Sequence, residues 1–122
     1  MPARLTRQQA ERRGRLAESI AALLLRLKGY RILAMRYKAR GGEVDIVASR
    51  AGILVFVEVK ARASHEAGIT AVTAQARQRI AVAAERFISH KRLHPVPACR
   101  YDLITVRHLT PRHHKNAWRA GD

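Results

Sequence analysis

The stretch from Gly41 to Arg62, GGEVDIVASRAGILVFVEVKAR, sets three carboxylates and a lysine into two otherwise apolar strands. Read at period two, Glu43, Asp45 and Val47 share one face of the first strand, and Val44, Ile46 and Ala48 share the other. In the second strand Leu54, Phe56, Glu58 and Lys60 share a face, and Val55, Val57 and Val59 lie opposite. Ser49 to Gly52 reads as the turn between them. Burying an unpaired charge among such residues is costly enough that the group neutralises or takes a partner. A register pairing Glu43 or Asp45 with Glu58 keeps the polar residues together. Like charges placed opposite one another destabilise a sheet unless something positive lies between them. Lys60 is one candidate for that positive charge. A divalent cation, which favours carboxylate oxygens, is the other.

A chain of 122 residues is expected to form one domain with a real core. At 48% hydrophobic but only 5% aromatic residues, that core must be aliphatic. Against 9 acidic residues stand 24 basic ones, a net charge of +15 that no fold requires. It implies a polyanionic partner, nucleic acid ahead of an anionic membrane; the plainer reading is a charged, soluble surface. Three of the nine acids nevertheless fall in one hairpin, which suggests a metal site facing a phosphate backbone. Cys99 is the lone cysteine, so neither an internal disulfide nor a thiolate-rich metal site can form, and a buried core thiol is expected. The apolar run from Ile20 to Leu27 is short and carries Arg26. Neither a signal peptide nor a membrane span is expected, and a cytoplasmic location follows.

Along the chain, residues 1–9 are polar and expected to fray. A helix is predicted from about Thr6 or Gln9 to Lys28, stopped by Gly29. Leu16, Ile20, Leu23, Leu24 and Leu27 form its expected core face, with Ala17, Ala21 and Leu25 beside it. Glu18 lies on that flank, either paired with Arg15, exposed, or reaching the hairpin acids. Arg7, Arg12, Arg13 and Arg15 oppose the helix dipole and are better explained by a partner. Tyr30 to Tyr37 reads as a strand, Lys38 to Gly42 as a basic turn, and Ala63 to Ile69 as a polar loop containing His65. A second helix is predicted from Thr70 to about His90, with Val72, Ile80, Ala83, Ala84, Phe87 and Ile88 as its apolar stripe. Arg100 to Arg107 alternates as a further strand. The domain is expected to span residues 1–109, and residues 110–122 to be a mobile, basic, polyanion-binding tail. In that tail His113 and His114 are too few for a metal site, and Trp118 either stacks on a base or docks on the surface. Helix, strand, hairpin, helix and strand in that order give a mixed sheet with helices packed on it. No glycine-rich phosphate loop or nucleophile elbow is present.

Asp45 followed by Glu58-Val59-Lys60 resembles the Asp…Glu-x-Lys core of the restriction-endonuclease-like nuclease superfamily. Glu18 ahead of them fits the order in archaeal Holliday-junction resolvases. More closely, the chain resembles the YraN family of bacterial endonuclease-like proteins. The resembling stretches are Gly14 to Glu18, Gly29 to Leu33, Gly42 to Val47 and Val55 to Arg62, and the likeness covers most of residues 12–107. Arg36 departs from the pattern, where Asn is expected. The resemblance implies an α/β restriction-endonuclease-like mixed sheet flanked by helices, and a Mg²⁺-dependent endonuclease on DNA, with Mn²⁺ able to substitute. It further implies Asp45 and Glu58 as carboxylate ligands, the Val59 carbonyl as a third protein oxygen, Glu18 completing the sphere or holding a second ion, and Lys60 acting on the attacking water or the transition state. Glu43 is a further candidate, through a water or as a cap on a basic loop. Nucleic-acid contacts are expected at Arg12, Arg13, Arg15, Lys38, Arg40, Arg62 and Arg77. The competing class is a non-catalytic nucleic-acid-binding module of the same fold, and a weaker third is a ribosome- or RNA-associated protein. Asp45 and Glu58 would repel phosphate in a pure binder, which favours the enzyme. DNA is favoured over RNA, no membrane partner is expected, and a homodimer is left open.

Overall fold

The organising hairpin forms as expected. In the computed structural model, which describes residues 4–121, β2 (Gly42–Arg50) and β3 (Ile53–Ala61) pair antiparallel. The two residues between them, Ala51 and Gly52, both have positive φ, 51° and 79°. That is the primed turn geometry whose twist matches the flanking strands. β1 (Arg31–Ala39) pairs antiparallel with β2. β4 (Ala98–Arg107) pairs parallel with β3, which requires the intervening helices to cross over. With β5 (Thr110–Trp118) antiparallel to β4, the five strands lie in sequence order. This is an α/β fold with a mixed sheet flanked by helices, consistent with the restriction-endonuclease-like architecture expected.

Each face of the sheet carries a separate core. On one side α1 (Arg7–Leu27) covers Ile46, Ala48, Val55, Val57, Val59, Ile104 and Val106. Thr6 caps it in a reciprocal box with Gln9, so the helix begins where fraying was expected; residues 1–3 lie outside the described residues. The expected leucine stripe is not its core face. Ala17, Ala21, Ala22 and Leu25 are buried, whereas Leu16, Leu23 and Leu27 are 52%, 56% and 77% exposed. The alanines let the helix axis lie close to the sheet, and this turns the leucines to the side and Glu18 inward toward β1 and β2.

The other face is covered by α2 (His65–Thr70) and α3 (Ala74–His90). Ser64 caps α2, so the expected polar loop contains a short helix, and Thr73 caps α3 a few residues later than predicted. Here the stripe is as read: Val72, Ile80, Ala83, Ala84 and Phe87 are buried against Leu54, Phe56 and Leu103. α3 touches β2 closely at Gly42, where an added Cβ would stand 2.5 Å from the Ala83 nitrogen and 2.6 Å from the Arg79 carbonyl oxygen. Because both are backbone atoms, Gly42→Ala is expected to destabilise the fold by about 1–3 kcal/mol or more, read as a lowered urea midpoint.

Residues 110–118 are not a mobile tail. They are β5, and Trp118 is only 5% exposed. The lack of apolar alternation reflects an edge strand held by polar groups. Asp102, fully buried on β4, takes the Arg100 Nε–H and Nη2–H at 2.8 Å each and the Asn116 N–H at 2.9 Å. His113 Nε2 lies 2.7 Å from the same carboxylate. A carboxylate only accepts, so Nε2 carries the proton and Nδ1 is left to accept from Lys28 Nζ at 2.7 Å. Arg100 also donates to the Tyr30 hydroxyl at 2.6 Å. One buried acid therefore ties β5 to β4, to the end of α1 and to the start of β1. Asp122, the last residue of the expected tail, lies outside the described residues. Cys99 is exposed at the start of β4, not a core thiol, because the buried part of that strand begins only at Asp102.

Candidate metal centre

Period-two alternation holds along β3 but breaks in β2 beside Asp45. Val44 packs with Val47 and Phe56 toward α3, whereas Ile46 packs with Ala48 and Val57 toward α1. The β2–β3 ladder also stops there, with Ile46 opposite Val57 as its last pair. Continuing that register sets Asp45 level with Glu58, the second of the two pairings the sequence allows. Where the ladder opens, the Asp45 side chain replaces a main-chain partner, and its Oδ2 accepts the Val59 N–H at 2.8 Å. The β1 residue facing this break is Arg36, in the left-handed region at φ 51°. Asn tolerates that conformation better than most residues, which gives a backbone reason for the Asn expected there.

Asp45 is half-buried and Glu58 is 9% exposed. Burial first, then the hydrogen bond and charge of Asp45, push the Glu58 carboxyl up to about 9, against the opposing pull of Lys60 and the Val59 N–H. Beside Asp45, Glu58 therefore favours its neutral form. Lys60 Nζ is 3.9 Å from Glu58 Oε2, too far for a hydrogen bond, and does not neutralise the pair by itself. Two hard oxygen donors side by side, with Lys60 too distant to neutralise them, fit a hard divalent cation. Asp45 and Glu58 would hold it, with the Val59 carbonyl as neighbour.

Glu18 and Glu43 share a cleft with Asp45 but pair with arginines. Glu18 lines a cleft of about 250 Å³ with Arg36, Tyr37, Lys38, Glu43 and Asp45. Its Oε1 accepts from Arg36 Nε at 2.6 Å, and this contact raises the Arg36 pKa. Arg15, the partner considered for Glu18 from the sequence, is not the one it takes. Glu43 is exposed and lies 3.8 Å from Arg79, a solvated pair of little energetic weight. Among the described residues, no group of three or more His, Cys, Asp or Glu side chains is gathered closely enough to hold a metal ion. Arg36 is the functional residue that sequence reading missed: it faces Asp45 and takes the carboxylate expected as a third ligand. Its only signal was the departure from the expected Asn.

Of the basic candidates, Lys38 lines the cleft, Arg12, Arg15, Arg40 and Arg62 are exposed elsewhere, and Arg13 is half-buried. Arg77 lies over the Trp118 ring, in a separate cavity. Beyond Lys60, its ladder neighbour Thr105 sets its hydroxyl 2.7 Å from His65 Nδ1 and 2.9 Å from His114 Nε2. A hydroxyl can donate to one ring and accept from the other. Burial, then the charge of Arg112, lowers both histidine pKa values.

Among the described residues, no helix is long and apolar enough to cross a membrane. The family model described as "Uncharacterised protein family UPF0102" matches residues 17–106. A UPF0102 protein of Rhizobium etli (strain CIAT 652) is 43% identical over 113 residues, covering 92% of this chain and 93% of its own. A UPF0102 protein of Agrobacterium fabrum is 46% identical over 100 residues, 82% of each chain. One of Sinorhizobium medicae is 47% identical over 108 residues, 84% of this chain and 88% of its own.

Proposed function

The chain belongs to the uncharacterised protein family UPF0102, and we propose that it is a metal-dependent endonuclease hydrolysing phosphodiester bonds in DNA. The observation that carries the reading is the Asp45 carboxylate set into the opening of the β2–β3 ladder beside buried Glu58, with Lys60 two residues on. This is the arrangement expected of the restriction-endonuclease-like nucleases, the archaeal Holliday-junction resolvases among them. A structure-selective substrate is the form of the activity most in keeping with that likeness.

Mg²⁺ or Mn²⁺ on Asp45 and Glu58 would neutralise charge on the phosphate and lower the pKa of a water. The chain's own residues do the rest. Asp45 is oriented through one oxygen by the Val59 N–H and lies beside Glu58, which sets the two carboxyl groups together toward a ligand. Lys60, partly exposed, can donate to the attacking water or to a phosphate oxygen as charge builds there. Lys38 at the cleft, and the arginines of α1, supply the field that draws in the backbone.

Cleavage assayed with and without Mg²⁺ or Mn²⁺ on duplex, single-stranded, flap and four-way DNA tests this. Metal-dependent products on at least one substrate are expected; none on any would end the reading. Binding should weaken with salt at a log–log slope of roughly −0.9 per phosphate contact on duplex, and a flat response between low and physiological salt would exclude a polyanion partner. One observation favours the second reading, a non-catalytic nucleic-acid-binding module: Arg36 already neutralises Glu18 and leaves two carboxylates where three were expected.

A further inference from the structure

A second cavity, of about 500 Å³, opens between the first turns of α3 and the β4–β5 edge, on the sheet face opposite α1. Arg77, Gln78, Tyr101, Trp118 and Arg119 line it, with alanines and Gly121 between them. Tyr101 and Trp118 stack at 5.8 Å and 17°, which makes a rigid aromatic wall. The Arg77 guanidinium lies 5.7 Å from the centre of the indole ring. No carboxylate or carbonyl among the described residues accepts a hydrogen bond from it, and its Nε is buried without a partner. A half-buried guanidinium with several donors and no acceptor among the described residues calls for an anionic ligand. The volume suits a small organic molecule, not a bare ion.

We propose that this cavity binds a single unpaired nucleotide, with Arg77 on the phosphate and the ring against the alanine-lined floor and aromatic wall. The inference rests on the nucleic-acid reading only for its choice of ligand class. The same chemistry is offered by a free mononucleotide and by an unpaired nucleotide in a strand; the latter would let the protein recognise unpaired DNA at a place distinct from Asp45 and Glu58.

Trp118 is the sole tryptophan, so its emission reports on this cavity alone. In EDTA, deoxyadenosine monophosphate is expected to change that emission saturably, and inorganic phosphate over the same range is not. Arg77→Met should weaken the response at least about tenfold, and Arg77→Lys, which keeps the charge without the planar fork, should fall between the two. Thermal melts confirm that both variants are folded. A short oligodeoxyadenylate acting like the mononucleotide supports the strand as source, and a response to the mononucleotide alone supports the free nucleotide. No saturable response, or equal responses from wild type and Arg77→Met, overturns the proposal. Because the readout needs neither metal nor cleavage, its failure leaves the Asp45 site untouched, and failure of cleavage leaves this binding intact.

Discussion

Replacing Asp102 by Ala is expected to lower stability by about 3–5 kcal/mol, read as a fall in the urea midpoint, because it leaves Arg100 half-buried without its counter-charge. His113 and the Asn116 N–H would lose their acceptor in the same step, so β5 should open first. Hydrogen exchange at residues 110–118 should then speed up more than in β2 or β3. A pH signature goes with this. Burial alone would raise the Asp102 pKa, but the hydrogen bonds from His113, Arg100 and Asn116 outweigh it and hold the carboxyl at about 2 against an ordinary 3.8. The unfolded chain therefore takes up the proton first. The stabilisation is complete above about 3.8 and drains away as pH falls through about 2. Asp102→Asn should flatten the acid limb of the stability curve in that window. An unchanged limb, or an Ala variant as stable as wild type, would show that the network does not hold the strand.

The difference between what the sequence revealed and what it hid follows from how each element is held. β3, α3 and β4 are held by apolar side chains, so their period shows in the letters: Val55, Val57 and Val59 on one side, Leu54 and Phe56 on the other. β5 is held by Asp102 and Trp118, and its letters, TPRHHKNAW, have no apolar period to read. The face of α1 was misjudged because a helix lying close to a sheet buries alanines, which a hydrophobicity stripe ranks below leucines. The acids were legible for a different reason. Asp45 and Glu58 violate an otherwise apolar pattern, and such violations mark sites. Their meeting did not require strict alternation in β2, which breaks between Val44 and Ile46. The fate of Glu18 was not legible, since it depends on one long side chain, Arg36, held at a positive φ on a neighbouring strand.

Asp45→Asn should abolish metal-dependent cleavage, and the associated change in metal binding separates an enzyme from a binder. The substitution keeps the shape and one oxygen to accept the Val59 N–H, so the strand opening should persist. What it removes is the charge beside Glu58 and a hard donor. Calorimetric titration with Mn²⁺ should show affinity lower by more than the roughly 10–100-fold that loss of a ligand's own hydrogen-bond partner costs. Thermal stability without metal should hold or rise, because the Asp45 charge that helps push the Glu58 carboxyl upward is gone. Affinity for nucleic acid in EDTA should hold or rise as well, since one repulsion of phosphate is gone. Under the proposed mechanism Lys60→Ala should also abolish cleavage yet bind Mn²⁺ as wild type does, because Lys60 would act on the water or the developing charge and not on the ion. If Asp45 serves only to fix Val59 and pair with nearby cations, its amide should lose stability and leave the Mn²⁺ response unchanged. Equal Mn²⁺ binding by wild type and Asp45→Asn would remove the metal centre, and with it the nuclease, and leave the proposal of a non-catalytic nucleic-acid-binding module as the one to test.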